Sequence, residues 1–270
     1  MPQVINTNIA SLNAQRNLNT SQGALNTSLQ RLSSGLRINS AKDDAAGLAI
    51  AEKMNSQSRG MAVAMRNAND GISAAQTAEA GLSAVTGHLQ RMRELATQAA
   101  SGQYDSTNRG ALDKEYQQLA SEISRAVNAT NFNGTKLLDG SFSGINFQIG
   151  ATTSSESQIS VTIASVATAS LGSISSASTA LSAMSNLDTA IDTVNDNRAT
   201  LGAVQARFEG VLTQLANAVE NVEASRSRIM DTDYAAETAK LARAQILQQA
   251  GTAMLAQANS LPQNVLSLLR

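Results

Sequence analysis

The chain has 270 residues, a net charge of −1, no Cys, no Trp, one His and two Pro. The absence of Cys excludes disulfides and thiolate chemistry, and a single His argues against a His-based metal site. Only seven residues are Phe or Tyr, whereas 46 are Ala, and no proline lies between Pro2 and Pro262. This composition predicts an elongated, mostly helical protein rather than a globular one with an aromatic core.

Charge is distributed unevenly along the sequence. Residues 1–42 carry a net charge of +4 and residues 238–270 carry +3, so the segment between them carries −8. The basic residues at the two ends are scattered and lack neighbouring aromatic residues, which argues against a nucleic-acid surface. Two interpretations of these ends stay open: solvated tails, or helices that are buried against other chains, where charge is costly.

The ends also carry spaced aliphatic residues that indicate helices. The N-terminal stripe and the C-terminal apolar face, which we expect to stop at Pro262, each predict an amphipathic helix. The predicted seam consists of Leu18, Leu25, Leu29, Leu32, Leu36, Leu247, Met254, Leu255 and Leu261.

Long heptad patterns occupy the chain between these ends. Stepping by seven from Met54 and from Gln57 gives an almost continuous seam that reaches Ala100. A second seam runs from Leu187 to Ile229, and a shorter one runs from Leu112 to Ala126. The predicted helices cover about 45–101, 110–130 and 181–230. Their predicted core positions are Met61, Leu82, Val85, Leu89, Met92, Leu201, Phe208, Leu215 and Val222.

The helical period is absent between about 131 and 180. Turn signals at Asn133-Gly134 and Asp139-Gly140, and the alternation of Ile145, Phe147 and Ile149, predict a small β-hairpin region. Half of residues 151–182 are Ser or Thr, which leaves open a solvated loop or a surface for O-linked sugars. The fold class is therefore mainly α: a long antiparallel helical bundle or coiled-coil rod with a small β-hairpin region.

No pattern of catalytic residues stands out. Lys42-Asp43-Asp44 forms a dense charged cluster, but its spacing is better suited to capping a helix than to binding a metal. His88 lies beside a seam and is expected to be partly exposed. No apolar run approaches the roughly 20 residues of a membrane helix, and residues 1–10 lack the features of a signal peptide. The sequence predicts neither an enzyme nor a cofactor or metal site.

Long motifs at both ends resemble bacterial flagellin. They include Arg31-Leu32-Ser33-Ser34-Gly35-Leu36-Arg37-Ile38-Asn39, which continues to Leu48, and the C-terminal run from Ile246 to Leu266. Gln90-Arg91-Met92-Arg93-Glu94-Leu95 and Phe132-Asn133-Gly134 resemble two further flagellin segments. The resemblance covers about 1–140 and 180–270, and it implies a short flagellin with terminal and rod domains only.

The resemblance also implies domains, location and partners. The N- and C-terminal helices would pair in a terminal coiled-coil domain that comprises 1–42 and 232–270, and the rod domain would comprise 43–231. The chain would leave the cell through the flagellar type III export apparatus, aided by a chaperone that binds its C-terminal segment. It would polymerise with its own copies into the extracellular filament for swimming and would meet hook-associated and cap proteins.

A Toll-like innate-immune receptor recognises flagellins with such motifs. The family's contact positions correspond to Arg91, Leu95 and Glu115, which implies two exposed charged groups and an apolar anchor at Leu95. Packing between filament subunits is an alternative role for the same residues.

Three other functions remain alternatives. A hook–filament junction protein shares related terminal segments. An enzyme on a flagellin scaffold would need a larger centre than 131–180, and a coiled-coil export or chaperone adaptor would never form filaments.

Overall fold

A computed structural model describes residues 7–166 and 171–267, with only the backbone of 261–267. Five helices dominate this part of the chain, as the composition predicts. They are α1 (Ile9–Ser34), α2 (Ala45–Ala100), α3 (Ser106–Ala129), α4 (Ala177–Met230) and α5 (Tyr234–Ser267). The backbone of α5 continues beyond Pro262, since a proline removes one backbone donor and can bend a helix without ending it. The expectation that the apolar face stops at Pro262 concerns side chains outside the described residues.

Local hydrogen bonds fix the helix ends. Asn8, Asp44 and Asp105 each accept a backbone N–H from the first turn of α1, α2 and α3, so the predicted capping role of the charged cluster is confirmed for Asp44. The side chain of Asp43 instead accepts the backbone N–H groups of Asn39 and Ser40, which hold its pKa below the usual range. Gly35 ends α1 in the left-handed conformation, with φ of 73°.

The described chain forms two compact units. The core unit is Gln57–Glu220, and the terminal unit combines Met1–Ser56 with Asn221–Arg270. Both boundaries fall inside α2 and α4, whereas the sequence places domain boundaries at 42/43 and 231/232.

In the core unit, α3 and α4 each run antiparallel to α2. Arg91 of α2 pairs with Glu115 of α3, and Arg93 pairs with Asp188 of α4. Large side chains from the three helices fill one continuous core, and Phe208 packs edge-on against Phe147, with ring centroids 5.6 Å apart. The predicted mainly α bundle is thus confirmed for this unit.

Two small hairpins complete the core unit. β1 (Asn131–Phe132) and β2 (Thr135–Lys136) enclose a tight turn in which Asn133 and Gly134 have positive φ. β3 (Ile145–Gln148) pairs antiparallel with β4 (Gln158–Val161), with Phe147 opposite Ile159, which confirms the predicted alternation. A single 3-10 turn, Ser155–Ser157, leads into β4.

In the terminal unit, α1 and α5 run antiparallel. The chain segments that enter and leave this pair are joined by backbone hydrogen bonds: Thr232 donates to the Gly35 carbonyl and Arg37 donates to the Met230 carbonyl. The Arg37 guanidinium also donates to the carbonyl of Ile229. This junction closes the last turn of α4 and fixes where α5 can begin.

Candidate assembly surface

The α1–α5 interface is built from small and polar residues. Among the described helices, only α1 and α5 bring long stretches of backbone to Cα separations within 8 Å. Such a close approach requires small side chains at the contact. Four of the residues buried in the pair are accordingly small, namely Ser11, Ser28, Ala244 and Ala258, and Glu237 is buried with them.

A glycine marks the centre of this interface. Gly251 of α5 faces Leu18 of α1, and a Cβ placed on Gly251 would lie 3.3 Å from the Leu18 Cδ1. Ala244 and Ala258 lie seven residues to either side, so one face of α5 is a row of small residues. Aliphatic spacing does not reveal this row, because Ala and Gly occupy its positions.

One carboxylate is buried between the two helices. Glu237 is only 3% exposed, and its carboxylate accepts hydrogen bonds from the Ser28 hydroxyl at 2.7 Å and from Lys240 at 3.0 Å. Arg31 lies 4.0 Å away. Burial alone raises the pKa of Glu237, but the two hydrogen bonds and the nearby positive charges outweigh that effect, so its pKa lies below the ordinary value.

Polar contacts also join the far end of the pair. The Asn8 amide donates to the Ala258 carbonyl, and the Ser11 hydroxyl donates to the Asn259 side chain at 2.7 Å. Near the middle, Gln248 donates to Gln22. Side-chain hydrogen bonds thus join the described pair along its length.

Large aliphatic side chains lie on the outside of the pair. We call them the outward set, and their exposures run from 48% to 67%. The outward set consists of Ile9, Leu12, Leu29, Ile246, Leu247 and Met254. So much exposed apolar surface on one helix pair is typical of a surface that binds other protein chains.

Some of the predicted seam residues are exposed on the outside of the pair, and others are half-buried. Leu29, Leu247 and Met254 belong to the outward set. Leu18, Leu25, Leu32, Leu36 and Leu255 are half-buried. The Leu261 side chain lies outside the described residues.

The predicted core residues lie mostly inside the core unit. Met61 is half-buried, and so is Val222, which belongs to the terminal unit. The other seven are buried: Leu82, Val85, Leu89, Met92, Leu201, Phe208 and Leu215.

The three positions assigned to a receptor by resemblance lie close together on α2 and α3. Arg91 donates to Glu94 and to Glu115, each at 2.9 Å, and the side chains of Arg91 and Glu115 are about half exposed. These partners, Glu94 foremost, raise the pKa of Arg91. Leu95, in contrast, is 1% exposed and belongs to the core, so it offers no free apolar surface of the kind expected for an anchor.

No group of acidic and histidine side chains in the described residues is arranged to hold a metal ion. His88 is half-buried. None of the described helices is long and apolar enough to span a membrane.

The terminal helices are closely paired and carry an uncovered aliphatic surface, and the helical core packs separately. These features are typical of a protein that assembles with further chains. Residues 5–143 match the model of the bacterial flagellin N-terminal helical region, and residues 184–269 match that of the C-terminal helical region. The chain belongs to the bacterial flagellin family.

Individual relatives agree with this assignment. A flagellin of Halalkalibacterium halodurans is 44% identical over 99% of this chain and all of its own length. A flagellin of Xenorhabdus nematophila is 41% identical over the full length of both chains. The crystal structure of Bacillus cereus flagellin is 34% identical, with a TM-score of 0.50 over 56% of this chain and 88% of its own.

These similarities establish the function at the level of the family. Flagellins are structural proteins that polymerise, and this chain is a structural subunit of the bacterial flagellar filament. The matched models and these relatives are all flagellins, and none favours the hook–filament junction alternative.

Proposed function

We propose that the outward set is the surface through which copies of this flagellin associate in the filament. The proposal rests on the packing of the terminal pair, in which the small residues Ser28 and Ala244 are buried while the larger apolar residues Ile246 and Met254 are exposed. Covering an exposed aliphatic side chain contributes roughly 1.5–3 kcal/mol. A repeated contact of this kind, made head-to-tail without closure, gives a filament. The role is structural and requires no catalytic centre.

A polymerisation assay tests this proposal. Replacing Ile246 and Met254 by Ser removes two of the most exposed outward residues, while Val63→Ser with Leu181→Ser is the matched control in the core unit. We expect the first variant to lose seeded filament growth by at least tenfold in pelleting and negative-stain imaging, and the control to polymerise normally. Equal growth of the two variants would contradict the proposal.

We also propose that the chain is secreted to the extracellular filament by the flagellar export apparatus. An export chaperone would bind the C-terminal segment, and hook-associated and cap proteins would contact the same terminal helices in the filament. The exposed aliphatic residues of α5 support this, because they need a covering partner before and after assembly. Accumulation of the chain inside cells that lack a functional export apparatus, but not inside their parent, is the expected result.

The cluster of Arg91, Glu94 and Glu115 supports a further proposal, recognition by a Toll-like innate-immune receptor. Its ion pairs are exposed and form a charged surface patch shared by α2 and α3. Leu95 lies on the buried face of α2, so its contribution would be to position this helix rather than to contact the receptor. The charged groups are therefore the better test.

Arg93 provides a control for Arg91. Its side chain is equally exposed and pairs with Asp188 on the other side of α2. We expect Arg91→Ala to reduce receptor signalling by the monomer at least tenfold and Arg93→Ala to leave it nearly unchanged. Both variants should keep wild-type unfolding curves, because exposed ion pairs contribute little stability. Equal signalling by both variants would exclude the proposed contact.

A further inference from the structure

Met254 is the most exposed methionine in the part of the chain that the structure describes. It is 64% exposed and belongs to the outward set on α5. Met92, in contrast, is fully buried in the core unit. The other described methionines are half-buried, namely Met54, Met61, Met65, Met184 and Met230. Met254 is therefore the described methionine that a dissolved oxidant reaches most easily.

The composition directs oxidation to methionine. The chain contains no Cys, so no thiol competes for an oxidant such as hydrogen peroxide. In the reaction, the methionine sulfur attacks one peroxide oxygen, an S–O bond forms and the O–O bond breaks. The sulfur is oxidised and the peroxide is reduced. The proton on the transferred oxygen passes to the departing hydroxide, so the products are methionine sulfoxide and water.

The surface around Met254 suits a thioether better than a sulfoxide. On the same face of α5, Ala250 lies one turn before Met254, and Ile246 and Leu247 lie two turns before it. None of these three side chains has a hydrogen-bond donor. An S=O group is strongly polar, so covering it with another chain is unfavourable unless a donor meets it. Oxidation thus converts an apolar contact into a polar one.

We propose that Met254 is a site of reversible oxidation that decides whether a chain can enter the filament. The thioether permits association, and the sulfoxide prevents it. The inference rests on the proposed role of the outward set in association. The oxidant is a peroxide in the solution around the soluble chain, and methionine sulfoxide reductases reverse the change. Because Met254 lies on the outside of the helix pair, its oxidation leaves the fold of the soluble chain intact.

Limited oxidation of the full-length soluble chain tests the site itself. The chain is treated with hydrogen peroxide, and peptide mass mapping follows the sulfoxide fraction at each methionine with time. Met254 should oxidise faster than the buried Met92 by about tenfold or more, and the circular dichroism spectrum should not change. Equal rates at Met254 and Met92 would overturn the inference, because exposure would then not select the site.

The partly oxidised sample then tests assembly without any substitution. Filament seeds are added, and pelleted polymer and supernatant are mapped separately. Sulfoxide at Met254 should be enriched in the supernatant by about tenfold or more, because the oxidised chain is excluded from the growing filament. Treatment of the supernatant with methionine sulfoxide reductases should return these chains to the polymer.

A Met254→Leu chain controls for oxidation at other positions. It is oxidised in the same way, and its growth is compared with its own growth before oxidation. The loss on oxidation should be much smaller than that of the unsubstituted chain, since leucine does not react with peroxide. Equal fractional losses in the two chains would overturn the inference, because another methionine would then be responsible.

Equal sulfoxide at Met254 in polymer and supernatant would also overturn the inference. It would mean that a nearby donor, such as the amide of Gln257 one turn later on α5, accommodates the S=O group. Peroxide treatment of preformed polymer separates this outcome from a failure of the proposed assembly surface. Slow oxidation of Met254 there would leave that surface in place, whereas oxidation as fast as in the soluble chain would contradict the surface and the inference together.

Discussion

The core unit buries Leu82, Leu89 and Phe208 completely, whereas the α1–α5 pair buries Ser28 and Ala258 completely or nearly so and leaves the outward set exposed. The helices of the core unit are held apart by the side chains between them, and those of the terminal pair approach closely through small ones. The first arrangement can stabilise itself by apolar burial. The second leaves the outward set uncovered, so other chains that bury these residues would add to its stability.

The largest expected effect is a cavity in the core unit. Phe208 is fully buried and contacts Phe147, so Phe208→Ala should lower the free energy of unfolding of this unit by about 3–5 kcal/mol. Urea unfolding followed by circular dichroism measures the change. Leu181→Ala, at a position 60% exposed on the same helix, is the control and should change stability by less than about 0.5 kcal/mol. Similar losses in both variants would mean that α4 is not packed as described.

A smaller effect is expected from adding one methyl group to the same core. A Cβ on Gly71 would lie 2.7 Å from the Phe208 ring, so Gly71→Ala should destabilise the core unit by about 1–3 kcal/mol. Gly87, on the same helix, has no such neighbour within 4 Å, and Gly87→Ala should stabilise by roughly 0.5–1 kcal/mol. Changes of opposite sign in the free energy of unfolding of these two variants would confirm that the core unit is tightly packed around Gly71. The central glycine of the terminal pair, Gly251, differs because it contacts the flexible side chain of Leu18.

The smallest effect concerns pH and the terminal pair. The pKa of Glu237 lies below its ordinary value of 4.5, so its ionised form contributes stability above that pH. The contribution is lost as the pH falls through the folded pKa. We therefore expect assembled polymer to dissociate more readily below about pH 4.5. The free energy of association should fall there by on the order of 1 kcal/mol per subunit.

Glu237→Gln isolates this group from other carboxyls, such as Asp43, that also have lowered pKa values. Pelleted polymer is measured between pH 7 and pH 3 for both chains. The variant should lack the part of the acid dissociation that Glu237 causes. Identical pH profiles would show that Glu237 does not hold the pair through its charge.

Much of the core unit is predictable from the sequence, because it follows helical periodicity. The seams from Met54 to Ala100 and from Leu187 to Ile229 correspond to α2 and α4. α4 begins earlier than predicted, at Ala177, since the Ser176 hydroxyl accepts the Thr179 N–H and caps its first turn. Hydrophobic periodicity cannot predict such a cap, because many Ser and Thr residues in this stretch could form one.

The candidate sites were less predictable. Leu95 lies outside the two seam positions of its heptad and is nevertheless buried, because α2 packs against two helices and so buries a third row. In the terminal pair, aliphatic spacing identified residues such as Leu247 and Met254, but it could not show that they face outward. Their outward orientation depends on the row of Ala244, Gly251 and Ala258, because these small residues let the two backbones approach closely and leave no room for larger side chains at the contact.

A density map of the assembled filament tests the central claim most directly. The exposed fractions of Ile246 and Met254, 65% and 64% in the single chain, would be measured again in the polymer. We predict that both side chains become buried against neighbouring copies, while the α1–α5 pair keeps Leu18 against Gly251. A filament in which Ile246 and Met254 still face solvent would contradict the account.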